Sequence, residues 1–190
     1  LEIQTLRQYF ELYQTARQYD LSYSSKQKIR TTLHFLENYR VLDRDITSLT
    51  HRDFESIRNH ALTTRKVSTL QEYFRTTKAV FEEAFKDEVI LESPFLKLRK
   101  LRKSDDEGEP ADKVDPFTRE ELARLLSVVT IEQHRLMIEF LFWTGMRPGE
   151  MKALAWEDID LVKGTARVRY NLNRIGQIKP PKTQAGKRTI

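Results

Sequence analysis

TGMRPGE, residues 144–150, follows the apolar run Leu136–Trp143, which must be buried, and the reading of the whole chain turns on it. Gly145 and the Pro148-Gly149 pair mark a turn, and a new helix starts at Pro148 and runs to about Ala155. An arginine therefore sits at the opening of a helix, where the amino end already carries partial positive charge. Something negative is expected at that spot. Pro148 suits the first helical position and Glu150 the third, from which Glu150 screens Arg147 and holds its guanidinium in place. Two readings follow from the heptapeptide alone. One is a surface ion pair at a helix start. The other is a preorganised phosphate clamp, an arginine fork beside free backbone N–H groups.

Downstream the chemistry is one-signed. From Lys163 to Ile190 there are eight basic residues and no acid. Solvated surfaces usually mix signs, so this segment points to a polyanion. Thr165 to Tyr170 alternates like a strand, Asn171 to Gly176 reads as a turn, and Gln177 to Thr183 as the return strand. Arg188-Thr189-Ile190 begins another. The stretch PPKTQAGKRTI, residues 180–190, places Lys182 at the edge of this hairpin, close to Lys179, Lys187 and Arg188. By itself it also reads as a lysine-rich loop that touches DNA phosphates without chemistry.

Composition sets the frame. The chain has 190 residues, 39% hydrophobic and 32% charged, with a formal net charge of +5. That length suits one large or two small domains. There is no cysteine, which excludes disulfides and thiolate metal sites. No apolar run approaches the roughly 20 residues that span a bilayer, so no membrane partner is expected. No signal-peptide pattern is present, and a start at Leu1 with an end inside a strand reads as a piece of something longer.

The first hundred residues read as a four-helix unit with short connections. Leu6, Phe10 and Tyr13 recur at helical spacing. Ser24-x-x-Gln27 is a capping-box pattern ahead of Ile29, Leu33 and Leu36. Thr50-x-x-Asp53 starts another helix with Phe54, Ile57 and Ala61 on one face. Ser68 or Thr69 caps a longer helix carrying Leu70, Phe74, Thr77, Phe81 and Phe85, which stops before Ser93-Pro94. Residues 99–116 carry a basic block, an acidic block and two prolines with almost nothing to bury, and read as a linker. Thr118-x-x-Glu121 then opens a second unit with Leu122, Leu125, Leu126 and Val129 behind it, followed by a buried helix over about Glu132–Trp143. The expected fold is mainly α with a small antiparallel hairpin or sheet. Its division is 1–98, a helical unit; 99–116, the linker; and 117–190, an α+β unit.

Taken together, the two boxes resemble one family. The string Leu141-Phe142-Trp143-Thr144-Gly145-Met146-Arg147-Pro148-Gly149-Glu150-Met151-Lys152-Ala153-Leu154, then Trp156-Glu157-Asp158-Ile159-Asp160, resembles the first catalytic box of the tyrosine recombinases, the phage-integrase family. Lys182-Thr183-Gln184-Ala185-Gly186-Lys187-Arg188-Thr189-Ile190 is similar to that family's hairpin box K-T-x-x-S-x-R-x-I. Gly186 stands where the family usually has serine, which weakens a contact to the substrate phosphate. The helical unit, ending in VILESPF, resembles the family's core-binding domain in pattern rather than motif.

The resemblance implies a site-specific recombinase that cuts and rejoins DNA through a 3′-phosphotyrosyl intermediate, with no metal or nucleotide cofactor. Residues 117–190 would be the amino-terminal part of its catalytic domain. Arg147 matches the first catalytic arginine, Glu150 the acidic residue that supports it, and Lys182 the hairpin lysine, the general acid for the leaving 5′-oxygen. Positioning and charge stabilisation are what phosphoryl transfer needs. The family's later boxes, including the nucleophilic tyrosine, have no counterpart in these residues. None of the seven tyrosines here matches the nucleophile's context. The chain alone is therefore expected not to cleave DNA.

The implied partner is the double-stranded core of an attachment site. A tetramer on DNA and accessory DNA-bending proteins are implied with it, and so is action at the nucleoid, in the cytoplasm of a bacterial or phage-infected cell. Candidate DNA contacts are Ser25, Lys26, Lys28 and Arg30; Arg65, Lys66, Thr69, Arg75 and Lys78; Arg99, Lys100, Arg102 and Lys103 of the linker; and Lys179, Lys187 and Arg188. For each of them a solvated face is the competing reading. Competing functions are a non-enzymatic or decayed integrase-derived DNA-binding module, a helical protein-interaction module with a basic tail, and a type IB topoisomerase.

Overall fold

Thr5 and Thr118 start their helices by the same device. The Thr5 hydroxyl accepts the Gln8 N–H at 3.3 Å while the Gln8 side chain accepts the Thr5 N–H at 2.8 Å. Thr118 and Glu121 repeat this at 3.2 and 2.9 Å. Each box satisfies two N–H groups that a helix start would leave without partners. The computed structural model describes residues 4–102, 115–181 and 183–190. They fall into two compact units, Leu1–Asp112 and Lys113–Ile190. No described helix is long and apolar enough to cross a membrane.

The first unit holds four helices: α1 (Leu6–Ala16), α2 (Tyr23–Glu37), α3 (His51–Leu62) and α4 (Val67–Lys86). Two starts differ from the sequence expectation. Helix α2 is capped by Ser22, whose hydroxyl accepts the Ser25 N–H at 3.1 Å, rather than by Ser24. Helix α4 begins at Val67 with Lys66 as its cap residue, because Val67 is buried and anchors the first turn ahead of Ser68 and Thr69. Helix α4 packs against α1, α2 and α3 and is the spine of the unit. Its Phe81 lies 5.4 Å, edge-on, from Phe54 of α3, and Phe95 covers Phe54 at 4.6 Å. Around them Leu6, Phe10, Leu36, Leu42, Ile46 and Leu70 are sealed from water. The segment before α1 is tied to the loop after α2. Arg7 donates its N–H to the Leu42 carbonyl at 2.8 Å, and Ile46 donates to Gln4 at 3.0 Å. Phe85, expected on the buried face, is 53% exposed.

The second unit has helices α5 (Arg119–Val128), α6 (Glu132–Thr144) and α7 (Pro148–Lys152) and five short strands. Strands β1 (Ile159–Asp160), β2 (Thr165–Val168) and β5 (Arg188–Thr189) form an antiparallel sheet in the order β1-β2-β5, with Val168 opposite Arg188. Strands β3 (Asn171–Leu172) and β4 (Ile178–Lys179) form a separate hairpin. The expected strand over Thr165–Tyr170 thus ends at Val168, where the Arg169 guanidinium turns to Glu157 and the buried Asp158.

One expectation is corrected outright. The run Leu136–Trp143 is not buried. No residue of α6 is fully buried, and Leu136 and Trp143 are 58% and 57% exposed. Helix α6 is apolar on more faces than its neighbour α5 covers. Among the described residues of this unit the buried apolar side chains are few: Leu122, Met146 and Val168.

Candidate functional site

Helix α6 ends at Gly145, whose left-handed φ of 62° reverses the chain and lets its N–H donate to the Leu141 carbonyl at 3.0 Å. Met146 then dives inward, and Arg147 becomes the cap residue of α7. Pro148 occupies the first helical position, as the sequence predicts, but α7 stops at Lys152 rather than near Ala155. Gly149 has to be glycine. A β-carbon there would sit 2.7 Å from the Leu172 carbonyl, because α7 lies directly against β3.

Glu150 is the centre of the site. Its side chain is only 3% exposed, and each of its oxygens takes two donors. Oε1 accepts from Arg147 Nη1 at 2.8 Å and Arg188 Nη1 at 3.3 Å. Oε2 accepts from the Arg147 backbone N–H at 3.0 Å and Arg188 Nη2 at 2.9 Å. Four donors fill the lone-pair positions of a carboxylate. Burial pushes the Glu150 carboxyl up. The hydrogen bonds from Arg188, and from the backbone and side chain of Arg147, outweigh it and hold the group down at about 2. Arg147 itself is 73% exposed, and its remaining N–H donors face outward. A cleft of about 360 Å³ opens beside it, lined by Gly145, Arg147, Thr183, Ala185, Gly186 and Arg188. The two sequence boxes meet here.

The depressed Glu150 carboxyl predicts an acid limb. A group held below its unfolded value stabilises the fold above the unfolded value, near 4.5, and that stability is lost as pH falls through about 2. Glu150→Gln is expected to flatten the stability profile between those two values, measured by urea unfolding against pH. An unchanged profile would remove Glu150 as its origin.

Gly186 has its own structural reason. A β-carbon on it would lie 2.5 Å from the Pro181 β-carbon, and the proline ring cannot rotate away. The absence of a serine is therefore coupled to Pro181 in the same turn. Gly186→Ser is expected to destabilise the chain by about 1–3 kcal/mol, read as a lower Tm, with recovery in the Pro181→Gly background, which removes the opposing β-carbon. A neutral single variant would show that the turn yields.

The other expected site residues divide into groups. Lys182 and Lys103 lie outside the described residues. Lys179 and Lys187 are exposed near the cleft segment, whereas Arg188 turns inward to Glu150 and also reaches the Gly145 and Gly186 carbonyls at 3.4 Å. In the first unit, Lys28 and Arg75 both bind Glu72, each at 2.5 Å, and Lys78 meets Glu82 at 3.5 Å. Lys28 first, with Arg75, keeps the Glu72 carboxyl below its ordinary value against the effect of burial. Ser25 shares its hydroxyl with Ser22, and Thr69 is half-buried. Lys26, Arg30, Arg65 and Lys66 are exposed and have no ion-pair partner among the described residues; Arg99, Lys100 and Arg102 are exposed. The Glu150–Arg188 link was not read from the sequence. No local spacing joins the two residues, which lie 38 positions apart and meet only through the pairing of β2 with β5. No group of acidic or histidine side chains able to hold a metal is found among the described residues.

Comparison with known proteins adds independent observations. Residues 116–186 match the model of the phage integrase family. The prophage integrase IntR of Escherichia coli (strain K12) is 34% identical over 126 residues, covering 66% of this chain and 29% of that protein. The ICEBs1 integrase of Bacillus subtilis (strain 168) is 25% identical over 144 residues, covering 74% and 37%. Among solved structures, the Tn1549 transposon integrase in complex with transposon right end DNA superposes with a TM-score of 0.77 at 24% identity. That match covers 98% of this chain and 60% of that one. A lambda integrase dimer bound to a COC′ core site gives 0.70 at 16% identity, covering 93% and 49%. The chain spans about a third of the length of these curated relatives.

Proposed function

We infer, for a chain that belongs through residues 116–186 to the phage integrase family, the tyrosine recombinases, that it is the DNA-gripping and phosphate-activating part of a site-specific recombinase. The observation that carries this is the exposed Arg147 guanidinium, aimed by a buried and saturated Glu150 beside an open cleft. An arginine held this way meets the non-bridging oxygens of a phosphate without reorganising, which is where charge grows during strand transfer. Lys182 supplies the proton to the leaving 5′-oxygen, a step worth about 10²–10⁴-fold. The tyrosine nucleophile comes from outside these residues, and the product of attack is a 3′-phosphotyrosyl bond. Residues 1–98 act as the core-binding domain, 99–116 as the linker, and 117–190 as the amino-terminal part of the catalytic domain.

The partner is duplex DNA at an attachment-site core, in the bacterial or phage-infected cytoplasm. Assembly of the complete protein as a tetramer on DNA fits a family in which a lambda integrase tetramer bound to a Holliday junction has been solved. Alongside Arg147, the exposed side chains of Lys26, Arg30, Arg65, Lys66, Lys100, Lys179 and Lys187 are available for phosphates. With about six phosphates neutralised, affinity should fall by about 10³-fold between roughly 50 and 200 mM salt. Fluorescence anisotropy with a labelled duplex measures this. Binding that stays flat across that range would contradict the proposal.

A further inference from the structure

The geometry points to Arg188 as a positioning residue. By satisfying one half of Glu150, it leaves Arg147 a net positive charge to present to an anion. This rests on reading the Arg147 cleft as a phosphate site, and gives that site a third member.

The argument is one of charge and donors. Arg147 and Glu150 alone sum to zero, and a neutral pair attracts a phosphate weakly. Arg188 brings the cluster to +1, and because its guanidinium is turned inward onto Glu150, the surplus is expressed at Arg147. Of the two arginines, Arg147 is 73% exposed and Arg188 only 30%. Arg188 sits on β5, opposite Val168 of β2, so the sheet fixes its backbone. From there its two terminal nitrogens reach both Glu150 oxygens, the Gly145 carbonyl at the end of α6 and the Gly186 carbonyl in the turn before β5. One planar fork thus joins three elements around the cleft, which lysine with its single point charge cannot do. Without Arg188, Glu150 would keep only the two donors of Arg147 while remaining buried, and would draw the Arg147 guanidinium inward to complete its shell.

The test is a charge-balance cycle on the 190-residue chain. Binding of a random-sequence duplex is measured at low salt for the wild type, Arg188→Gln, Glu150→Gln and the double variant. The titration midpoint of Glu150 is followed by carbon-detected NMR in the wild type and Arg188→Gln. Arg188→Gln is expected to weaken binding about tenfold, the order of one lost close charge pair, and to raise the Glu150 midpoint. The double variant, which removes both the carboxylate and its neutraliser, is expected to return to within about twofold of the wild type. A double variant as weak as Arg188→Gln would overturn the inference and make Arg188 a direct phosphate contact. An unmoved Glu150 midpoint would overturn it too. Should Arg188→Gln fail to fold, the double variant set against Glu150→Gln decides: a difference below about twofold supports action through Glu150, and about tenfold refutes it. If the wild-type chain binds no DNA at all, the recombinase reading fails and the Glu150 midpoint alone decides the role of Arg188.

Discussion

Arg147→Ala is expected to cut single-turnover strand cleavage by about 10²–10³-fold in a complete recombinase that contains these 190 residues. It should leave the fold nearly untouched. The guanidinium is largely exposed, so little packing is lost. Glu150 keeps the Arg147 backbone N–H and both Arg188 nitrogens, so the buried carboxylate still has three of its four donors. The cost in stability is on the order of one hydrogen bond, about 1 kcal/mol. Arg147→Lys retains the charge but not the planar fork, and should fall between wild type and alanine. A suicide DNA substrate that traps the covalent product reads the rate directly. A loss of less than about fivefold in a folded Arg147→Ala protein would remove Arg147 from the chemistry.

Phe54→Ala carries the largest expected effect on stability. Phe54 is fully buried in the first unit and is the ring that Phe74, Phe81 and Phe95 all touch. Emptying such a position costs about 3–5 kcal/mol through lost transfer energy and the cavity left behind. A domain holds only about 5–15 kcal/mol in total, so the unit would sit near its unfolding threshold at 37 °C. Urea unfolding followed by circular dichroism measures the loss. Phe85→Ala, on the same helix as Phe81 but half exposed, is the internal contrast and should change stability by no more than about 1 kcal/mol. Equal losses at the two positions would mean that the aromatic cluster is not the keystone of this core.

Particular residues show how far the fold was legible in the sequence. Thr118 and Glu121 announced a helix start because a capping box is a local device: both partners sit within four residues, and nothing distant can displace them. Ser24 misled because three candidates within four residues, Ser22, Ser24 and Ser25, can each cap, and the choice falls to where the chain turns. The run Leu136–Trp143 misled for another reason. Apolar composition states that a surface wants cover, not that the elements present supply it. Arg147 and Glu150 could be paired by their spacing on one short helix. Arg188, 38 residues after Glu150, could not, since only the antiparallel pairing of β2 with β5 brings it there.

The unequal interiors of the two units have a consequence for protection against solvent exchange. In the first unit, amides of α3 and α4 stand over a deep aromatic core and should exchange only when the unit unfolds globally. In the second, the apolar interior is little more than Leu122, Met146 and Val168, and much of what else is buried is ionic. Ion pairs of this kind hold geometry more than they add free energy. Amides of α7 and β5 should therefore exchange through local openings, and heating should give two calorimetric transitions rather than one. The cation cluster would then be a part of the chain that breathes, and a phosphate bound there would slow deuterium uptake first at Arg147 and Glu150.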